Sequence, residues 1–106
     1  MKKLRLPTLP TLKKYGLSGK DWYDILERQF GYCPVCDRAF SEDRRPVVDH
    51  FHATGFKKMK PEYKRKCVRG LICTNCNQRL VGKLKTSQAY KVWMYLREYD
   101  VRCDES

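Results

Sequence analysis

Asp49, His50 and Asn77 are the residues whose types and spacing could do chemistry. Asp49 and His50 close the β-branched start of VVDHFHATGF, and a second apolar run, VRGLICTNCN, delivers Asn77 directly after a cysteine pair. Phosphodiester hydrolysis needs a water made nucleophilic, a cation to neutralise the phosphate and the leaving oxygen, and a scaffold that holds both in line. An imidazole with an ordinary pKa of about 6.5 is available neutral near pH 7, so His50 suits the general base. Asp49 and Asn77 offer oxygen donors of the kind that Mg²⁺ or Mn²⁺ takes, with room left for phosphate and water. Neighbouring residues on a strand face opposite sides, so the chain must kink or end its strand between Asp49 and His50. The following His52-Ala53-Thr54-Gly55 loop makes such a break plausible. Each residue has a plainer reading: Asp49 as a turn residue, His50 as a core histidine, Asn77 as a helix N-cap. Their joint order around two cysteine pairs favours the site.

Six cysteines occur in 106 residues, four of them as Cys33-x-x-Cys36 and Cys73-x-x-Cys76. Two such turns can aim four thiolates at one tetrahedral Zn²⁺. A single domain of this length buries only part of its apolar surface, and a bound metal would add folding free energy. Four cysteine ligands leave no open position, so this zinc is expected to be structural and to clamp Asn77 opposite the Asp-His strand. Cys67 and Cys103 stand alone. No apolar stretch follows the basic N-terminus and none is long enough to span a membrane, so a cytoplasmic protein with reduced thiols is expected.

The net charge of +11 is clustered, which points to a polyanionic partner, DNA above all. The densest patch is KKMKPEYKRKCVR, where Lys57, Lys58, Lys60, Lys64, Arg65, Lys66 and Arg69 face the single acid Glu62. Its bland reading is a solvated loop. Its place between the Asp-His strand and the strand leading to Asn77 favours contact with phosphates.

The elements that must position these residues follow in order. Residues 1–14 read as an extended basic arm, and residues 15–106 as one zinc-containing domain. Ser18 to Asp21 form a capping box for a helix of about three turns ending near Gly31, with Trp22, Ile25, Leu26 and Phe30 on its apolar face. Trp22 and Tyr23 suit core and rim positions. Pro34 fixes the first cysteine turn, Ser41 to Pro46 make a turn, and Val47-Val48 begin the first strand. Val68 to Ile72 form the second strand. Asn77 opens a short helix carrying Leu80, Val81 and Leu84, weakened by Gly82. A last helix starts near Ser87, with Ala89, Val92, Trp93, Leu96 and Tyr99 as a stripe that should pack on the first helix, and its tail VRCDES frays. The fold expected is small α+β.

CPVC, VVDHFHATG and VRGLICTNCNQRLVG, preceded by YGLSGKDWYDILERQFGYC, resemble the phage recombination endonuclease VII family of HNH (ββα-metal, His-Me finger) nucleases over roughly Tyr15 to Leu84. The resemblance implies a ββα-metal finger stabilised by a four-cysteine zinc site and flanked by N- and C-terminal helices. It implies structural zinc on Cys33, Cys36, Cys73 and Cys76, His50 as general base, and Asp49 and Asn77 on a catalytic Mg²⁺ or Mn²⁺. His52 matches a loop histidine that touches the scissile phosphate. By the same resemblance the work is done in a phage-infected host cytoplasm, leaving 3′-hydroxyl and 5′-phosphate ends. Three departures stand out. Leu80 occupies the position of a helical Glu ligand, the insert from Lys57 to Lys66 is longer, and the resolvase member's C-terminal half has no counterpart before Ser106.

The reading is a metal-dependent endonuclease nicking one strand per active site, as a monomer or a homodimer. The alternatives are a non-catalytic zinc module that binds DNA, a branched-DNA (Holliday junction) resolvase, and a redox or zinc-storage protein.

Overall fold

A computed structural model describes residues 4–104 of the chain. Two strands form its sheet: β1 (Pro46–His50) runs antiparallel to β2 (Val68–Cys73). Helices α1 (Leu9–Lys14) and α2 (Gly19–Arg28) precede the sheet, and α3 (Pro61–Cys67) lies between its strands. Helices α4 (Thr74–Arg79) and α5 (Thr86–Asp104) follow. Single 3₁₀ turns at Phe56–Lys58 and Val81–Lys83 complete the order. This is a small α+β fold, as expected.

Local chemistry explains most elements. Ser18 accepts from Asp21 N at 3.0 Å while the Asp21 carboxylate accepts from Ser18 N at 2.9 Å, so the capping box forms as read. Backbone hydrogen bonding to Ser18 lowers the Asp21 pKa below 3.8 despite opposing desolvation, with Arg65 adding to the fall. Behind that cap Trp22 and Ile25 are buried, with Tyr23 half-buried at the rim.

Phe30 departs from the expected stripe and stands 81% exposed. The helix stops at Arg28, and Phe30 takes a left-handed φ of 56°, which turns its side chain out of the helical period.

The core gathers Leu12, Leu17, Trp22, Ile25, Phe40, Val48, Leu71 and Ile72 around the four paired cysteines. Cys33 and Cys73 are fully buried.

The expected extended arm is in part a helix. α1 carries Pro10 in its first turn, where a missing N–H costs nothing, and it buries Leu12. Leu4 and Leu6 also pack against the core, and the Tyr23 hydroxyl donates to Leu4 O at 3.1 Å.

The basic insert is structured too. Pro61 starts α3, and the helix runs into β2 without a loop. Gly16, at φ 68°, lies where any Cβ would collide with the Pro61 carbonyl. That close approach seats the start of α3 beside Tyr15.

Two further expectations are corrected. Asn77 lies inside α4, which opens at Thr74 within the second cysteine turn, and Leu80 and Leu84 are exposed beyond its end. The α5 stripe does not pack on the first helix. Val92, Trp93 and Leu96 are 46%, 52% and 54% exposed, and none of its described side chains is buried. The tail does not fray where expected, since α5 continues to Asp104 with Val101 exposed; the Tyr99 side chain and those of residues 102–106 fall outside the described residues. Among the described residues no helix is long and apolar enough to cross a membrane.

Candidate functional site

The end of β2 and the first turn of α4 supply Cys73 and Cys76, and the turn after α2 supplies Cys33 and Cys36. Their four sulfurs lie within 4.8 Å of one another. A tetrahedron of Zn–S bonds of about 2.3 Å has edges of about 3.8 Å. The Cys36 and Cys73 sulfurs are 3.9 Å apart, so these residues could hold zinc.

The surrounding donors suit thiolates. Cys73 N donates to Cys33 Sγ at 3.4 Å, and Arg44 Nη1 reaches Cys73 Sγ at 3.5 Å and Cys36 Sγ at 4.0 Å. Burial opposes ionisation of Cys73. Hydrogen bonds from the Cys76 backbone and side chain, Arg44 and Cys36 outweigh it and lower the pKa to about 6. Burial and its thiol neighbours push Cys76 up to about 12. Sequence reading placed Arg44 in a turn and missed this contact, for which only the nearby basic charge was a signal.

The strands meet at the Asp-His pair with a break. Val48 pairs with Leu71 and Asp49 with Gly70, but His50 pairs with Val68, which leaves Arg69 as the extra residue of β2. The bulged strand is β2, where Arg69 is set across from the Asp49–His50 step, and β1 itself ends at His50.

His50 sits in an aromatic cluster. Its ring centroid lies 4.5 Å from His52, 4.6 Å from Phe56 and 5.1 Å from Tyr15. Burial lowers its pKa below 6.5, repulsion from His52 adds to this, and Lys14 and Arg69 act in the same direction against Asp49. The imidazole is therefore neutral at pH 7 and able to accept a proton.

His50 and His52 line an open groove of about 770 Å³ together with Lys14, Lys57, Lys58 and Lys64. Lys64 lies over the Phe56 ring at 5.7 Å and Lys14 over the Tyr15 ring at 5.6 Å. Positive charge thus rims the groove above a neutral histidine. Tyr15 and Phe56, which fix the His50 ring, were missed by sequence reading, since nothing in their spacing links them to it.

Asp49 is 9% exposed, and Arg69 grips it at both oxygens: Nε donates to Oδ2 at 2.7 Å and Nη2 to Oδ1 at 2.9 Å. Asn77 lines a neighbouring groove of about 680 Å³ with Arg5, Tyr15, Val48 and Thr74. Tyr15 lines this groove and packs on His50 of the other. Among the described residues no hydrogen bond joins Asn77 to Asp49 or His50. The Asn77 backbone is nevertheless held, because the Val81–Lys83 turn folds so close that a Cβ on Gly82 would collide with the Asn77 carbonyl. Gly82 is thus a contact glycine as much as a weak helix former. By donor type, Asp49 and Asn77 fit a hard divalent ion.

The remaining basic candidates divide. Lys60 is exposed before α3, Arg65 lies 3.6 Å from Asp21, and Lys66 covers the Tyr63 ring at 5.7 Å.

Comparison with known proteins gives the lineage. The chain is 39% identical over 71 residues to the Gene 59 protein of Mycobacterium phage L5 and 38% identical over 71 residues to that of Mycobacterium phage D29. Each match covers 67% of this chain but only 37% and 36% of those proteins. No solved structure matches. The sequence model described as Recombination endonuclease VII matches residues 9–98, and this chain belongs to that family.

Proposed function

We propose that this chain is a metal-dependent DNA endonuclease of the HNH, His-Me finger type, built on a ββα-metal finger. The observation that carries the reading is the place of His50 in a lysine-rimmed groove, at the end of β1 across from the bulge, where burial lowers its pKa. Family membership supports the same activity.

In this reading the lysines draw the phosphate backbone into the groove, and His52 contacts the scissile phosphate. His50 takes a proton from the attacking water through its neutral ring nitrogen, while Tyr15 and Phe56 hold that ring in place. Asp49 and Asn77 would hold Mg²⁺ or Mn²⁺, which neutralises charge on the phosphate and on the leaving oxygen. The four-cysteine cluster would hold structural zinc and fix the start of α4. One such site nicks one strand, and the ends left are 3′-hydroxyl and 5′-phosphate. A monomer or a homodimer is compatible with this chemistry, as is work in the cytoplasm of a phage-infected host. A branched-DNA resolvase is a second reading, favoured by the recombination endonuclease VII match.

The test is conversion of supercoiled plasmid and of a four-way junction with Mg²⁺ or Mn²⁺. It is run with wild type and His50→Ala, beside a mobility shift in EDTA brief enough to spare the zinc. Wild type is expected to nick and the variant to bind without cutting. Binding without cleavage by wild type on every substrate would replace this reading with that of a zinc-stabilised DNA-binding module.

A further inference from the structure

We propose that Arg69 is a latch on Asp49, one that weakens divalent-ion binding in the free protein and is released when DNA offers it a phosphate. This rests on the reading of Asp49 as a metal ligand. The bulge makes Arg69 the extra residue of β2, directly across from the step between Asp49 and His50. Its fork engages both carboxylate oxygens, at 2.7 and 2.9 Å.

The two partners differ in freedom. The Asp49 side chain is 11% exposed and the Arg69 side chain 48%, so the guanidinium can swing outward while the carboxylate stays. A carboxylate neutralised at both oxygens is a poor donor to a dication, and the guanidinium repels one as well. A phosphate diester presents the same planar fork with an equivalent anion. The lysines of the His50 groove would bring that anion near. Occupation of the groove by DNA and loading of the ion on Asp49 are therefore coupled, and the coupling is reciprocal.

The opposite role gives the opposite sign. An arginine that merely orients the carboxylate would strengthen metal binding, so its removal would weaken it.

The experiment is an Mn²⁺ titration of zinc-loaded protein, read from the electron paramagnetic resonance signal of free Mn²⁺. It compares wild type, Arg69→Gln, Arg69→Lys and Asp49→Asn, with zinc content and circular dichroism checking that each is folded. Arg69→Gln should bind Mn²⁺ on the order of tenfold more tightly than wild type. Arg69→Lys keeps the charge but loses the two-point grip, and should fall between them. A second series carries His50→Ala in every protein to keep a short duplex intact, with the Asp49→Asn mixture as background. There the duplex should raise Mn²⁺ affinity more for the Arg69 protein than for its Gln variant.

Equal or weaker Mn²⁺ binding by both Arg69 variants, with Asp49→Asn still impaired, overturns the latch alone. Unchanged binding by Asp49→Asn overturns the assignment of Asp49, and the latch with it.

Discussion

Replacing Gln29 by alanine should be far more damaging than its place just past the end of a surface helix suggests. Its side-chain amide works as a piece of strand: Oε1 accepts from Leu71 N at 2.9 Å, and Nε2 donates to Leu71 O at 2.8 Å and to Tyr32 O at 3.2 Å. Leu71 is 0% exposed, so water cannot readily replace either bond. Leaving a buried backbone group unsatisfied costs about 1–3 kcal/mol, and two such groups put Gln29→Ala at roughly 2–6 kcal/mol. Tyr32 is exposed and its carbonyl adds little. Gly70 makes the contact possible, because a Cβ there would stand 2.8 Å from Gln29 Oε1, with only Gln29 Cδ otherwise inside 4 Å, at 3.9 Å. Gly70→Ala must therefore displace the amide in wild type but meets open space once Gln29 is alanine. Any backbone cost at position 70 is common to both backgrounds and cancels. Urea unfolding of the zinc-saturated proteins should give a Gln29–Gly70 coupling of about 1 kcal/mol or more. A Gln29→Ala cost below about 0.5 kcal/mol, or strictly additive single costs, would refute the reasoning.

A strong chelator should unfold the chain, seen as loss of helical circular dichroism in step with metal release, because four clustered thiols hold little structure without the ion. Zinc affinity should fall as pH drops, since protons compete for the thiolates and Cys76 surrenders its proton least readily. Metal competition assays across pH would show it. Ser18→Ala should cost about 1 kcal/mol in urea unfolding through the lost cap. The Asp21 pKa is lowered in the folded chain, so its contribution is present above pH 3.8 and lost as pH falls through the folded value. Unfolding midpoints of Asp21→Asn should accordingly change less than those of wild type on the acid side.

Local signals were legible in the sequence. The capping box, the Trp22 core position, the strand ending in Asp49-His50 and the cysteine cluster all follow from residues a few positions apart. Long-range contacts were not. Nothing in the spacing says that Arg69 meets Asp49 across a bulge, that Gln29 reaches Leu71, or that Tyr15 packs on His50. The helix in the N-terminal segment was hidden because it buries only Leu12, too little apolar surface to set a period. The α5 stripe misled for the opposite reason. Trp93 interacts with Tyr90 at 6.1 Å and Arg97 at 5.0 Å on its own helix, so apolar spacing there reflects neighbours on one surface and, among the described residues, no buried face.

The central claim is that His50 is the base that activates water. The most direct test is single-turnover cleavage by wild type and His50→Ala across pH, with and without added imidazole. With His50 as the base, the rate should decline on the acid side below pH 6.5, where His50 gains its proton. The variant should lose on the order of 10²–10⁴-fold in rate, partly restored by imidazole. Cleavage by His50→Ala at the wild-type rate, with the same pH dependence, would contradict it.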